Sequence, residues 1–249
     1  MMWQTRLGTC IYTSKSGYKV HQNFFYRWLT LGSNTLQTVI SRHNIKRPIL
    51  YYLPELTLMA RKNPDTCCLL GLGGAGVVHM LRSERVHPAI TAVDSSDEVI
   101  HIAKQFFMAD SIPNLTIIHQ NANDYIRESP TRYAHLLIDL YDANQFPSEC
   151  NTDDFFQNCK QILKPNGFLS LNLANVKEQW SIFQLVKSHF TNTIVLPIKK
   201  CANIIIIASN EGSTNSFLQK LEESGEIQKF IWDPSWGYAG QVDNPGNSS

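Results

Sequence analysis

Apolar and polar positions change their rhythm near residue 65, and that change divides the chain. Upstream, short alternating runs lie at 9–13, 18–21, 25–31 and 36–40, separated by SKSG, Gln22-Asn23 and GSN. A period of two marks strands with one buried face, and spacers this short predict hairpins. From Cys67 onward, compact apolar runs alternate with stretches of helical period. Runs at 67–70, 90–93, 115–119, 134–139, 168–172, 193–197 and 203–209 predict strands, and helices are predicted at 54–62, 77–82, 97–107, 153–163 and 177–188. Such alternation implies parallel strands whose crossover helices cover both faces of one sheet. Lys164-Pro165-Asn166-Gly167 is expected to end a helix and turn into a strand, and the short link between the last two strands permits an antiparallel pair.

The expected organisation is therefore a small antiparallel hairpin lid at 1–45, a larger α/β body at 46–232 and a loose tail at 233–249, where Pro, Gly, Asn and Ser collect. Trp28, Phe24 and Phe25 are expected to form the small core of the lid.

Composition narrows the function classes. A chain of 249 residues buries a substantial core, and this length suits one domain with an appendage. Its formal net charge is +1 and no run of Lys and Arg marks a nucleic-acid face. The six cysteines show neither CxxC spacing nor a regular framework, which argues against a metal site or disulfides and for reduced thiols. No apolar run is long enough to cross a bilayer, and the N-terminal stretch lacks the apolar core of a secretory signal. A soluble, cytoplasmic protein is expected.

Residues just past the strand ends carry the candidate chemistry, because ligands of open α/β sheets bind beyond the carboxyl ends of the strands. After the first body strand come Gly71, Gly73, Gly74 and Gly76, whose missing side chains allow a tight turn and close approach to a ligand. Asp94 follows about twenty residues later, where an acid accepts hydrogen bonds from ribose hydroxyls. The same residues also suit a plain strand-to-helix turn and a strand-end cap. Beyond the third strand, Asn121 either faces an adenine or caps the helix behind it. Asp139 and Asp142 follow the fourth strand. Paired acids there suit a cationic substrate, one carboxylate taking a proton from an amine and the other holding an ammonium, while the bland reading is a strand end and a turn cap.

GLGGAG, AVD, IDLYD and DDFFQNCKQILKPNG follow in the order found in spermidine synthase-like aminopropyltransferases, and WLTLGSNTLQ is similar to that family's N-terminal stretch. The resemblance spans residues 25–209. It implies the Rossmann-like fold of class I methyltransferases, with a mostly parallel seven-stranded sheet, an antiparallel edge strand and a small N-terminal antiparallel β region. It also implies a transferase of polyamine biosynthesis that moves an aminopropyl group from decarboxylated S-adenosylmethionine to a small-molecule amine, with lid strands that pair two copies into a homodimer. Asp139 would be the base, and Asp142, Tyr141, Tyr51 and Tyr52 would bind the amine. Gln37, Gly71, Gly73, Gly74, Ala75, Asp94, Ser95, Asn121 and Ala122 would surround the donor.

Three departures separate the chain from that family's pattern. Ala75 stands where the glycine motif usually carries an acid for the donor's ammonium, the histidine of a Tyr-His-Glu stretch is absent from Tyr51-Tyr52-Leu53-Pro54-Glu55, and Asn121 replaces an aspartate. They leave two alternatives open: a methyltransferase using intact S-adenosylmethionine, and an inactive homologue that keeps the nucleoside pocket.

Overall fold

The computed structural model describes residues 7–32, 36–82, 87–141, 145–210 and 212–242. Strands β1 (Thr9–Thr13), β2 (Tyr18–Gln22), β3 (Tyr26–Leu31) and β4 (Leu36–Ser41) form an antiparallel sheet in chain order. Two helical turns follow, α1 (Leu53–Leu56) and α2 (Leu58–Lys62). The predicted single helix breaks at Thr57, whose hydroxyl donates back to the Leu53 carbonyl at 2.7 Å.

The body continues through β5 (Cys67–Leu70), α3 (Gly76–Leu81), β6 (Ile90–Asp94), α4 (Asp97–Phe107), β7 (Leu115–His119), α5 (Ala122–Glu128) and β8 (Tyr133–Ile138). It ends in α6 (Asp153–Ile162), β9 (Leu163–Leu173), α7 (Val176–His189), β10 (Asn192–Pro197), β11 (Ile204–Ser209), α8 (Thr214–Glu222), β12 (Ile227–Asp233) and β13 (Gly237–Val242). These strands form one sheet of nine in the order β12-β13-β10-β11-β9-β8-β5-β6-β7.

Local chemistry explains the elements that hold the site. All four residues of β5 and all six of β11 are buried, so continuous apolar runs satisfy both faces of the sheet. Helix α4 starts where the Ser96 hydroxyl accepts from the Val99 N–H, with Asp97 and Glu98 in the first turn. The chain winds outward from β5 through β6 to β7, then returns to lay β8 on the other side of β5. That reversal makes a crevice at the carboxyl ends of β5 and β8.

The α/β class stands, but the sheet has nine strands rather than seven. The segment expected as a loose tail from residue 233 contains β13, which pairs antiparallel with β12 and parallel with β10. Lys164-Pro165-Asn166-Gly167 lies within β9 as an irregular stretch: Tyr133 pairs with Leu163, and the next pair is His135 with Phe168. Strand β11 is antiparallel to both β9 and β10 and lies inside the sheet.

The small sheet is fastened to the body. Val20, Leu29 and Ile40 pack with Ile102 and Phe107 of α4, and the Arg27 guanidinium donates to the Phe106 carbonyl. Trp28 is buried as expected, whereas Phe24 and Phe25 are 70% and 58% exposed and pack edge to face outside that core. His79 is buried in α3 with Nε2 at 2.6 Å from the Phe107 carbonyl, and burial lowers its pKa. Among the described residues, no helix is long and apolar enough to cross a membrane.

Candidate active site

Backbone hydrogen bonds carry the sheet's register past the strand ends and bring the predicted stations together. Gly71 N–H donates to the Val93 carbonyl at 2.8 Å, Asp139 N–H to the Leu70 carbonyl at 2.9 Å, and Gln120 N–H to the Asp94 carbonyl at 3.1 Å. Two adjoining cavities of about 320 and 310 Å³ open there, a size suited to a small ligand. Both are lined by Gln37, Gly71, Gly73, Asp139 and Tyr141.

One cavity is rich in hydrogen-bonding groups. Asp94, Ser95, Asn121 and Ala122 line it, with Glu149 at the rim. Asp94 accepts from the N–H groups of Leu72 (2.9 Å), Gly73 (3.4 Å) and Ser96 (3.0 Å). Its carboxylate therefore ties the glycine turn to the end of β6. Burial raises its pKa, and those three backbone donors oppose the shift. Asn121 takes the capping role: its Oδ1 accepts from Asn123 N–H at 2.8 Å, while its amide donates to Glu149 Oε1 at 3.1 Å. The Asn121 amide and Glu149 thus partner each other beside the cavity, and Glu149 was not foreseen from the sequence.

The second cavity is aromatic and carries a buried carboxylate. Tyr51, Tyr52, Asn172, Lys200, Cys201 and Asn203 line it around Asp139. Tyr52 donates its phenol to Asp139 Oδ2 at 2.9 Å, Asn172 donates to Oδ1 at 2.8 Å, and Asn203 donates to Asn172 Oδ1 at 2.8 Å. Burial raises the Asp139 pKa and the two side-chain donors oppose it. Burial, reinforced by the neighbouring negative charge of Asp139, pushes the Tyr52 phenol well above its usual value, so it remains a donor. This relay through Asn172 and Asn203 is a second feature absent from the sequence expectations. Its signal was the amide of Asn172 in the strand run LSLNL, one of two polar residues among leucines.

Within the glycine turn, residues differ in whether they face the cavities. Gly71 has φ +92°, and a β-carbon there would stand 2.3 Å from the Asp139 carbonyl oxygen. Gly73 has φ +51° and lines both cavities. Gly74 and Ala75 line neither cavity. Gly74 is buried and donates its N–H to Thr38 Oγ1 at 2.8 Å, and a β-carbon on it would meet Thr38 at 2.7 Å. Ala75, expected at the donor, has left-handed backbone at φ +59° and buries its methyl in the core with Leu53, Val77 and Val78. The side chain at 75 thus faces the core and neither of the two cavities. Asp142 lies outside the described residues.

A family model described as the spermine/spermidine synthase domain matches residues 51–224. A polyamine aminopropyltransferase of Chromobacterium violaceum is 25% identical over 187 residues, covering 73% of this chain and 72% of that relative. The crystal structure of spermidine synthase from Thermotoga maritima has a TM-score of 0.67 at 16% identity, with 89% of this chain and 80% of that chain covered. A spermidine synthase in complex with the transition state analogue AdoDATO has a TM-score of 0.68 at 17% identity, with 89% and 81% covered. At such identities the structural likeness speaks for the fold.

Proposed function

The chain belongs to the spermine/spermidine synthase family, and from that premise we propose that it transfers an aminopropyl group from decarboxylated S-adenosylmethionine to a polyamine acceptor. It is a transferase, and the single observation that carries this reading is that Asp139 lines both cavities. The nucleoside half of the donor fits the side of Asp94, Ser95 and Asn121, and the acceptor fits the side of Tyr51, Tyr52 and Tyr141. Gln37, which borders both cavities, suits the region of the sulfonium.

The chemistry follows from the charge states. An aliphatic amine has a reference pKa of about 10 and arrives protonated, so a proton must leave before its lone pair attacks. Asp139 accepts that proton. The nitrogen then bonds to the aminopropyl carbon attached to sulfur while the carbon–sulfur bond breaks, its electron pair staying on sulfur to give neutral methylthioadenosine. A carboxylate whose burial raises its pKa is a stronger base than one in water. Tyr52 and Asn172 hold it in one orientation.

The test is product analysis with each donor in turn. Decarboxylated S-adenosylmethionine with diaminobutane is expected to yield methylthioadenosine and an aminopropylated amine in equal amounts. Methyl transfer from intact S-adenosylmethionine, with no methylthioadenosine from the decarboxylated donor, would overturn the proposal.

A further inference from the structure

The amine-side cavity contains a cation of its own. Lys200 lines it, with Nζ 5.4 Å from the centroid of the Tyr51 ring. Asp139 and Lys200 are the formally charged side chains among the described residues that line this cavity. An aromatic face at that distance attracts a cation, so the Tyr51 ring is the natural seat for the distal ammonium of an acceptor. Lys200 already occupies it.

The backbone around Lys200 is held from several sides. Ile198 N–H donates to the Asn203 carbonyl at 3.0 Å across the β10–β11 turn. Buried Gln179 donates to the Ala202 carbonyl at 2.7 Å. Asn203 is tied to Asn172 and thereby to the carboxylate of Asp139. Lys200 itself has φ +73°, a conformation that ordinary residues rarely adopt. The turn thus presents the lysine stem at the cavity from a fixed base, while the exposed ammonium can leave for solvent.

We infer that Lys200 determines acceptor specificity: by occupying the cation seat on Tyr51, it makes the cavity favour amines of low charge, a short diamine over a triamine. Every further ammonium on an acceptor meets this positive charge and must displace it. The inference rests on the aminopropyl-transfer reading for the identity of the acceptor, and it adds the charge class that the site prefers.

Titration calorimetry tests it, with diaminobutane and spermidine titrated into protein saturated with methylthioadenosine. Two unit charges roughly 6 Å apart in a water-like dielectric change a binding constant about threefold. Lys200→Met is therefore expected to tighten spermidine relative to diaminobutane by about threefold or more, whereas Lys200→Arg, which keeps the charge, retains the parent ratio. An unchanged ratio in Lys200→Met would overturn the inference, as would an equal change in Lys200→Arg. Absence of binding of both amines by the parent and the Met variant would also overturn it. Failure of the functional reading is seen separately, as no methylthioadenosine released by the parent with any amine, because the binding ratio is read without turnover.

Discussion

Tyr52 donates its phenol to Asp139 across 2.9 Å, and the two residues move each other's proton affinity in opposite ways. The carboxylate raises the phenol, while the phenol's hydrogen bond stabilises the ionised carboxylate against the burial that raises it. Tyr52→Phe removes that donor, so the Asp139 pKa is expected to rise further. The acid limb of the kcat/KM profile then moves to higher pH, and activity at neutral pH falls about tenfold, in line with a lost hydrogen bond to a charged group. A pH–rate profile of both proteins checks this; superimposable acid limbs would show that Tyr52 does not tune the base.

Asp139 itself should separate stability from activity. Its folded pKa is raised, so as pH climbs past the unfolded value near 3.8 the unfolded chain ionises first and stability declines. Asp139→Asn escapes that decline. The variant is expected to melt at or above the parent's temperature at neutral pH, with a larger advantage at pH 8 than at pH 4, while turnover falls by about a hundredfold or more. Thermal melts across pH, set beside initial rates, provide the check. A variant that melts well below the parent at pH 8 contradicts the argument.

The backbone elements near the crevice were legible because their physics is local. Runs such as CCLL and IIIIAS are apolar throughout, and continuous burial is what central strands of a two-layered sheet require. The β12–β13 hairpin was not legible. Lys229, Ile231 and Trp232 are exposed, and the turn through Pro234, Ser235 and Trp236 has the composition of a loop; pairing with β10 makes β13, the inner of these two segments, a strand of the body sheet and leaves β12 at its edge. The strand-end acids Asp94 and Asp139 were visible from spacing alone, but partners that arrive from distant segments were not. Thr38, Asn172, Asn203 and Lys200 converge on the turn and the carboxylate only after folding. Ala75 lines neither cavity for a related reason, since a left-handed backbone reverses the face a side chain presents and the string GLGGAG does not show which residue adopts it.

Thr38 is expected to matter more for the turn than its place in the lid suggests. Its hydroxyl is the acceptor for the buried Gly74 N–H at 2.8 Å. Thr38→Val keeps the shape and removes the acceptor, leaving a buried donor without a partner at a cost of about 1–3 kcal/mol. Chemical denaturation should show that loss. Faster amide exchange at Gly74 than in the parent should accompany it, and a midpoint unchanged within error would assign the hydrogen bond no weight.

Gly71 joins the glycine turn to the base through sheer proximity. With φ +92° and a β-carbon position 2.3 Å from the Asp139 carbonyl oxygen, Gly71→Ala imposes two separate penalties. Left-handed backbone with a β-carbon costs about 1–2 kcal/mol, and forcing apart two packed backbone segments costs about 1–3 kcal/mol more. Gly225 separates them, because it has φ +70° with nothing within 4 Å of its would-be β-carbon. Gly225→Ala therefore carries only the first penalty and leaves the site untouched. Since the Asp139 backbone is what must yield in Gly71→Ala, its surviving folded fraction is expected to turn over at least tenfold more slowly, a displacement of the reacting geometry by a fraction of an ångström being costly. Paired melts and rates for the two alanine variants decide the matter: equal destabilisation, or full activity in folded Gly71→Ala, would show that the turn does not position the carboxylate.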